Sequence, residues 1–173
     1  AKELAPLKME RAVFATMMDE ADQPGPEGID AVAFTVATNP GAPAGPLNKI
    51  ASGGELSRFL LALKVCLTQD AKGLTLIFDE IDKGVGGAVA NAVGERLAEL
   101  ADKAQILVIT HSPQVAARGR SHWLINKSVS NDDMMTTAVT ELVKEDRREE
   151  IARMLSGAEV TKESRAAADN LLK

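Results

Sequence analysis

Two adjacent carboxylates, Asp79 and Glu80, close a short apolar run, and His111 closes a second such run further along the chain. An apolar strand tipped with acids suits metal-assisted chemistry. One carboxylate can hold a divalent cation, directly or through water, while its neighbour points elsewhere and can orient or deprotonate a water. The plainer alternative is a pair of solvated acids, or a cap for the following turn. A lone histidine is more often structural than functional. At a strand tip beside acids, His111 becomes a candidate for contacting a terminal phosphate. Gln114 could reach the same cleft, whereas His122, next to Trp123 and without a comparable partner, reads as structural.

A second constellation is Ser52-Gly53-Gly54-Glu55. Ser52 as N-cap and Glu55 three residues on would form a capping box. That accounts for the ends of the motif but not its middle, since two glycines in a first turn cost about 1 kcal/mol each relative to alanine. Glycines there let a ligand approach the backbone, and a helix N-terminus with bare amides and a hydroxyl is a phosphate site. The two readings are compatible. Asp82 follows the acids in the segment Asp82-Lys83-Gly84-Val85-Gly86-Gly87. This is either a glycine-rich loop entering a helix or a subunit contact that couples Asp82 to a facing site.

The elements that must position these residues follow from hydrophobic spacing. Residues 8–17 and 31–38 read as an antiparallel strand pair around a turn at 22–28, followed by a flexible loop at 39–46. Leu56, Phe59, Leu60, Leu63 and Leu67 recur at helical spacing within 52–69. Strands at 74–78 and 106–110 flank a helix at 85–101 with the stripe Val89, Val93, Leu97 and Leu100. Near-continuous apolar strands joined through a helix predict parallel pairing covered on both faces, with a right-handed crossover. Two further strands (122–126, 136–143) and two helices (147–155, stopped by Gly157, and 162–172, capped by Thr161) complete the chain. The expected class is α/β: a mainly parallel sheet flanked by helices, with a small antiparallel β layer at the start.

Composition bounds the function. The chain has 173 residues, 45% hydrophobic and 26% charged, enough for one domain with a sizeable core. A net charge of −5 gives no global attraction for nucleic acid, so any DNA contact would need a local patch. Arg118, Arg120 and Lys127 could form one, or simply a solvated edge. A single cysteine, Cys66, excludes an intrachain disulfide, fits a reducing compartment, and in an apolar run reads as a buried thiol. No apolar run is long enough to predict a membrane span. The chain starts without Met, and its first residues read like the tail of an interrupted helix, the mark of a fragment of a longer protein.

Taken together, these motifs resemble the carboxyl-terminal lobe of an ABC-type ATPase head in the SMC-like branch. Ser52 to Glu55 match the ABC signature, residues 76–79 the Walker B strand, Glu80 the catalytic glutamate, Asp82 the D-loop and His111 the switch histidine. Within that branch, LNKIASGGELSR, LIFDEIDKGVGG, ITHSPQVAA and EEIARMLSGAEVT are similar to the RecN family of bacterial double-strand-break repair proteins. No G-x-x-x-x-G-K-[ST] phosphate loop occurs in the chain. In the family that loop lies on an amino-terminal lobe beyond a long coiled coil. The resemblance therefore implies residues 1–6 as the coil's end and 7–173 as half of a composite head. It implies ATP as substrate, Mg²⁺ held by Asp79, and catalysis through Glu80 and His111. It also implies that Ser52, Gly53, Gly54 and Glu55 contact ATP in trans on a second head of a homodimer. The partners implied are the amino-terminal lobe, the second head and DNA, in the bacterial cytoplasm at the nucleoid, with no membrane. Half a site should not turn over alone. A non-catalytic interaction module and the ATPase of a transporter are the competing readings.

Overall fold

Apolar and small residues alternate after Met9 and build a long hairpin: Val13–Gly25 (β1) pairs antiparallel with Gly28–Ala37 (β2), and the two-residue Gly45–Pro46 (β3) adds to β2. The computed structural model describes residues 3–37, 41, 43–47, 53–67, 73–79, 81–83, 85–129, 135–157 and 159–173. β1 continues through most of the turn expected at 22–28. Pro24 falls at the register irregularity between Glu20 and Gly25, where a missing amide disturbs the ladder least. The turn itself is Pro26-Glu27, with Gly28 at φ 114° supplying the left-handed geometry. The hairpin touches the rest of the molecule at its base, where Phe14 packs tilted against Phe59 of the following helix and against Phe34 of β2, with ring centroids 5.2 Å apart in each pair.

The core is helical on one side and sheet on the other. Gly53–Leu67 (α1) leads to Thr75–Asp79 (β4), Gly87–Leu100 (α2) and Gln105–Ile109 (β5). β4 and β5 run parallel, in register from Thr75 opposite Gln105 to Asp79 opposite Ile109. Leu76, Phe78, Ile106 and Val108 face inward onto Phe59, Leu61, Ala62, Ala90, Val93, Leu97 and Leu100. The expected α2 stripe holds. The α1 stripe is rotated: Leu60 is exposed while Leu61 and Ala62 are buried, and Cys66 is exposed rather than a core thiol. α1 is apolar nearly all round, so its period does not single out one face.

The expectation of a sheet covered on both faces is also corrected. Ile77 is 60% and Ile109 49% exposed on the face away from the helices. Residues 3–8 form successive turns, with Leu4 and Leu7 buried in the core and Lys8 at φ 59°.

After β5 come the short helix Pro113–Ala116 (α3), the antiparallel pair Trp123–Val129 (β6) and Met135–Glu141 (β7), and two closing helices, Lys144–Ser156 (α4) and Lys162–Leu171 (α5). α3 was not expected: four residues are too few to register a helical period. Gly157 ends α4 at φ 82°. Thr161 caps α5 in a capping box, accepting from the Ser164 amide at 3.1 Å while Ser164 Oγ accepts from the Thr161 amide at 3.0 Å. Ile151, Ala152, Ala168 and Ala117 form a second small core. No helix among the described residues is long and apolar enough to cross a membrane.

α4 and α5 are also joined by charge. Arg165 donates to both oxygens of Glu149 at 2.7 and 3.0 Å, Arg148 chelates Asp169, and Arg148 lies 3.7 Å from Glu149. Hydrogen bonds from Arg165 and Arg148 hold the carboxyls of Glu149 and Asp169 below their usual range. Because their folded pKa values are depressed, the stability they contribute is complete above the unfolded carboxylate range, about pH 4, and is lost as pH falls through the folded values. Melting temperature should therefore fall between pH 6 and pH 3 more steeply in the parent than in Glu149→Gln/Asp169→Asn. Parallel profiles would mean that the pairs are too well solvated to matter.

Candidate functional site

Parallel pairing in register brings the carboxyl ends of β4 and β5 side by side. Asp79 ends β4 with its side chain exposed, and Thr110, His111 and Ser112 leave β5 beside it. Ligands of α/β sheets bind outside such ends. His111 is exposed, and its side chain makes no hydrogen bond among the described residues. Glu80 and Ser52 lie outside the described residues. Gly53 and Gly54 open α1, with Glu55 in its first turn.

Asp82 does not face solvent. It is 2% exposed and turned back into its own chain. Its Oδ2 accepts from the Thr110 hydroxyl and from the Ser112 amide, the latter at 3.1 Å. Thr110 Oγ1 also accepts from the Ser112 amide at 2.9 Å. Gln114 accepts from Ser112 Oγ at 3.0 Å, and its amide nitrogen lies beside Gly87 at the start of α2. The structure thus gathers Asp79, Asp82, His111 and Gln114 at one end of the parallel pair, while Gly53, Gly54 and Glu55 belong to a separate helix start.

Two residues that support this end escaped the sequence reading. Gly94 on α2 meets α3 so closely that an added Cβ would stand 3.1 Å from the Gln114 carbonyl oxygen and 3.3 Å from Val115 Cα. Arg147 on α4 donates to the carbonyls of Ala117 at 2.8 Å and Gly119 at 2.6 Å, closing the far end of α3. The only sequence hint for Gly94 is a glycine within a strong helical period. For Arg147 there is none, because its acceptors lie far away in the chain. His122 is half-buried, with its pKa held below the ordinary value, first by burial and then by Arg147.

The basic patch is largely offset. Arg118 pairs with Glu95 and Asn91, and Arg120 with Asp102. Among the described residues no three His, Cys, Asp or Glu side chains converge as a metal cage. A single exposed carboxylate such as Asp79 fits magnesium, which takes one or two protein carboxylates and completes its octahedron with phosphate and water.

No family model matches the chain. It is 46% identical over 153 residues to the DNA repair protein RecN of Xylella fastidiosa strain 9a5c, covering 88% of this chain and 27% of that protein. Identity is also 46% over 170 residues to RecN of Rickettsia bellii, covering 98% of this chain and 31% of that protein. Among solved structures it resembles the Smc head domain with coiled coil and joint from Pyrococcus yayanosii at a TM-score of 0.65 and 19% identity, covering 90% of this chain and 28% of that one. A chain from work on ATP-driven dimerization and DNA-stimulated activation of SMC ATPases aligns at a TM-score of 0.59 and 17% identity, covering 92% of this chain and 90% of that one.

The fold is that of the carboxyl-terminal lobe of an SMC-type head, an α/β unit with an antiparallel layer at its start. By sequence the chain belongs to the RecN family, and it spans 27% and 31% of the lengths of these two relatives.

Proposed function

We propose that this chain is half of an ATPase head that acts in DNA double-strand-break repair, completed by an amino-terminal lobe carrying the phosphate loop. The observation that carries the reading is the meeting of Asp79 and His111 at adjacent ends of a parallel pair in a chain without a phosphate loop. The uncovered apolar surface supports it. Ile77 and Ile109 on the parallel pair, Met18 and Val32 on the hairpin, and Trp123, Ile125 and Val139 on β6 and β7 all lie open. Sheets of two or three strands with open apolar faces call for a covering layer.

In the complete head, Asp79 would hold the magnesium. Glu80 takes the proton from the attacking water, and His111 donates a hydrogen bond to the γ-phosphate of ATP. Bound magnesium would neutralise charge on the β- and γ-phosphates. Ser52 and the amides of Gly53 and Gly54 contact the ATP held by a second head, so that ATP joins two copies and hydrolysis releases them. Positioning and charge stabilisation supply most of the rate. DNA is engaged through the full protein.

Phosphate release from Mg·ATP by this chain alone, then with the amino-terminal lobe added, tests the reading. The expected result is turnover in the mixture only. Turnover by the chain alone would place a nucleotide site elsewhere. An associated, folded mixture that stays inert would make the chain a docking module.

A further inference from the structure

Asp82 is a buried carboxylate whose Oδ2 accepts from the residues on either side of His111, the Thr110 hydroxyl and the Ser112 amide. Its other oxygen, Oδ1, is buried and has no hydrogen-bond partner among the described residues. A buried acid satisfied on one side only is poor economy for stability, since its desolvation cost exceeds what two hydrogen bonds return. What the arrangement does achieve is geometric. His111 sits between two anchored neighbours, while its own side chain is exposed and makes no hydrogen bond among the described residues. The anchor comes from the turn that directly follows the Asp79-Glu80 pair.

We infer that Asp82 is a positioning residue that sets His111 toward the γ-phosphate, linking within one head the turn after the acidic pair to the loop carrying the histidine. The inference rests on the reading of His111 given above. Both bonds converge on one oxygen, so the latch needs an acceptor at that point and not a negative charge. Asparagine supplies that acceptor and alanine does not.

The experiment uses the full-length protein and measures kcat and KM for ATP, ATP binding and melting temperature. Asp82→Ala should lower kcat by about tenfold to a hundredfold, the scale of a small misplacement of a catalytic group, with ATP binding retained. Asp82→Asn should stay within about threefold of the parent, because one carbonyl oxygen can keep both bonds. In a His111→Ala background, Asp82→Ala should slow turnover no further, as expected when one residue acts through the other. Thr110→Val removes one donor without emptying the buried site and should give a smaller loss of the same kind, which Thr110→Ser restores. It keeps the test decisive if Asp82→Ala does not fold.

Asn as damaging as Ala would assign Asp82 a role through its charge and overturn the inference. So would additive losses in the double variant, or full activity in Asp82→Ala. If His111→Ala alone leaves turnover unchanged, the γ-phosphate role of His111 falls, and the positioning role with it. That outcome is read from the histidine variant and is therefore distinct from a failure of Asp82 alone.

Discussion

Full-length protein carrying Glu80→Gln should bind ATP and dimerise but hydrolyse it about a hundredfold to ten-thousandfold more slowly, the usual contribution of a positioned general base. Asp79 ends β4. In the proposed site the two adjacent acids divide the work, Asp79 holding the cation and Glu80 taking the proton of the attacking water. Glutamine keeps the size and hydrogen-bonding reach of Glu80 but cannot take a proton. Binding should survive while the chemical step stops. Because hydrolysis releases the two heads in the proposed cycle, the variant should accumulate as an ATP-dependent dimer. Light scattering with and without Mg·ATP, beside a phosphate-release assay, reads both effects. Normal turnover in the variant would move the base to another residue, and slow turnover without trapped dimers would uncouple hydrolysis from head release.

The parts of this site that were legible in the sequence are those that depend on strand ends. An apolar run bounded by acids or by a histidine marks where a buried strand stops, and parallel pairing then brings two such stops together. The structure places Asp79 and His111 accordingly. What could not be read depends on contacts across long separations. The inward turn of Asp82 is fixed by Thr110 and Ser112, 28 and 30 residues away, and neither spacing nor composition encodes that pairing. The rotation of α1 had the same origin, since Leu60 and Leu61 are equally apolar and only packing against the rest of the core decides which is buried. The open outer face of the parallel pair was hidden for a different reason. A continuously apolar strand reads the same whether its second cover comes from its own chain or from another lobe.

Gly94→Leu should lower stability and should slow turnover as well. α2 and α3 approach so closely that even a methyl group at position 94 would stand 3.0 Å from Arg118 Cγ and 3.1 Å from the Gln114 carbonyl. The Arg118 contact is to a side chain, which can shift at the expense of its bonds to Asn91 and Glu95. The Gln114 carbonyl and Val115 Cα are backbone, in a helix tied at its far end by Arg147 and at its near end by the Asp82–Ser112 bond. An alanine could be met by shifts of a few tenths of an ångström, and its gain in helix propensity of about 1 kcal/mol offsets part of that strain. Leucine adds three more carbons to the same space, and overpacking of this kind costs about 1–3 kcal/mol or more. α3 begins directly after His111-Ser112, so the displacement is passed to the loop that carries the histidine. Thermal unfolding should therefore rank the parent and Gly94→Ala close together and Gly94→Leu well below. ATP turnover of the folded fraction should fall in Gly94→Leu, because the histidine moves with its helix. A leucine variant as stable as the parent would mean that α3 is free to slide, and the close packing at Gly94 would then not be passed on to the His111 loop.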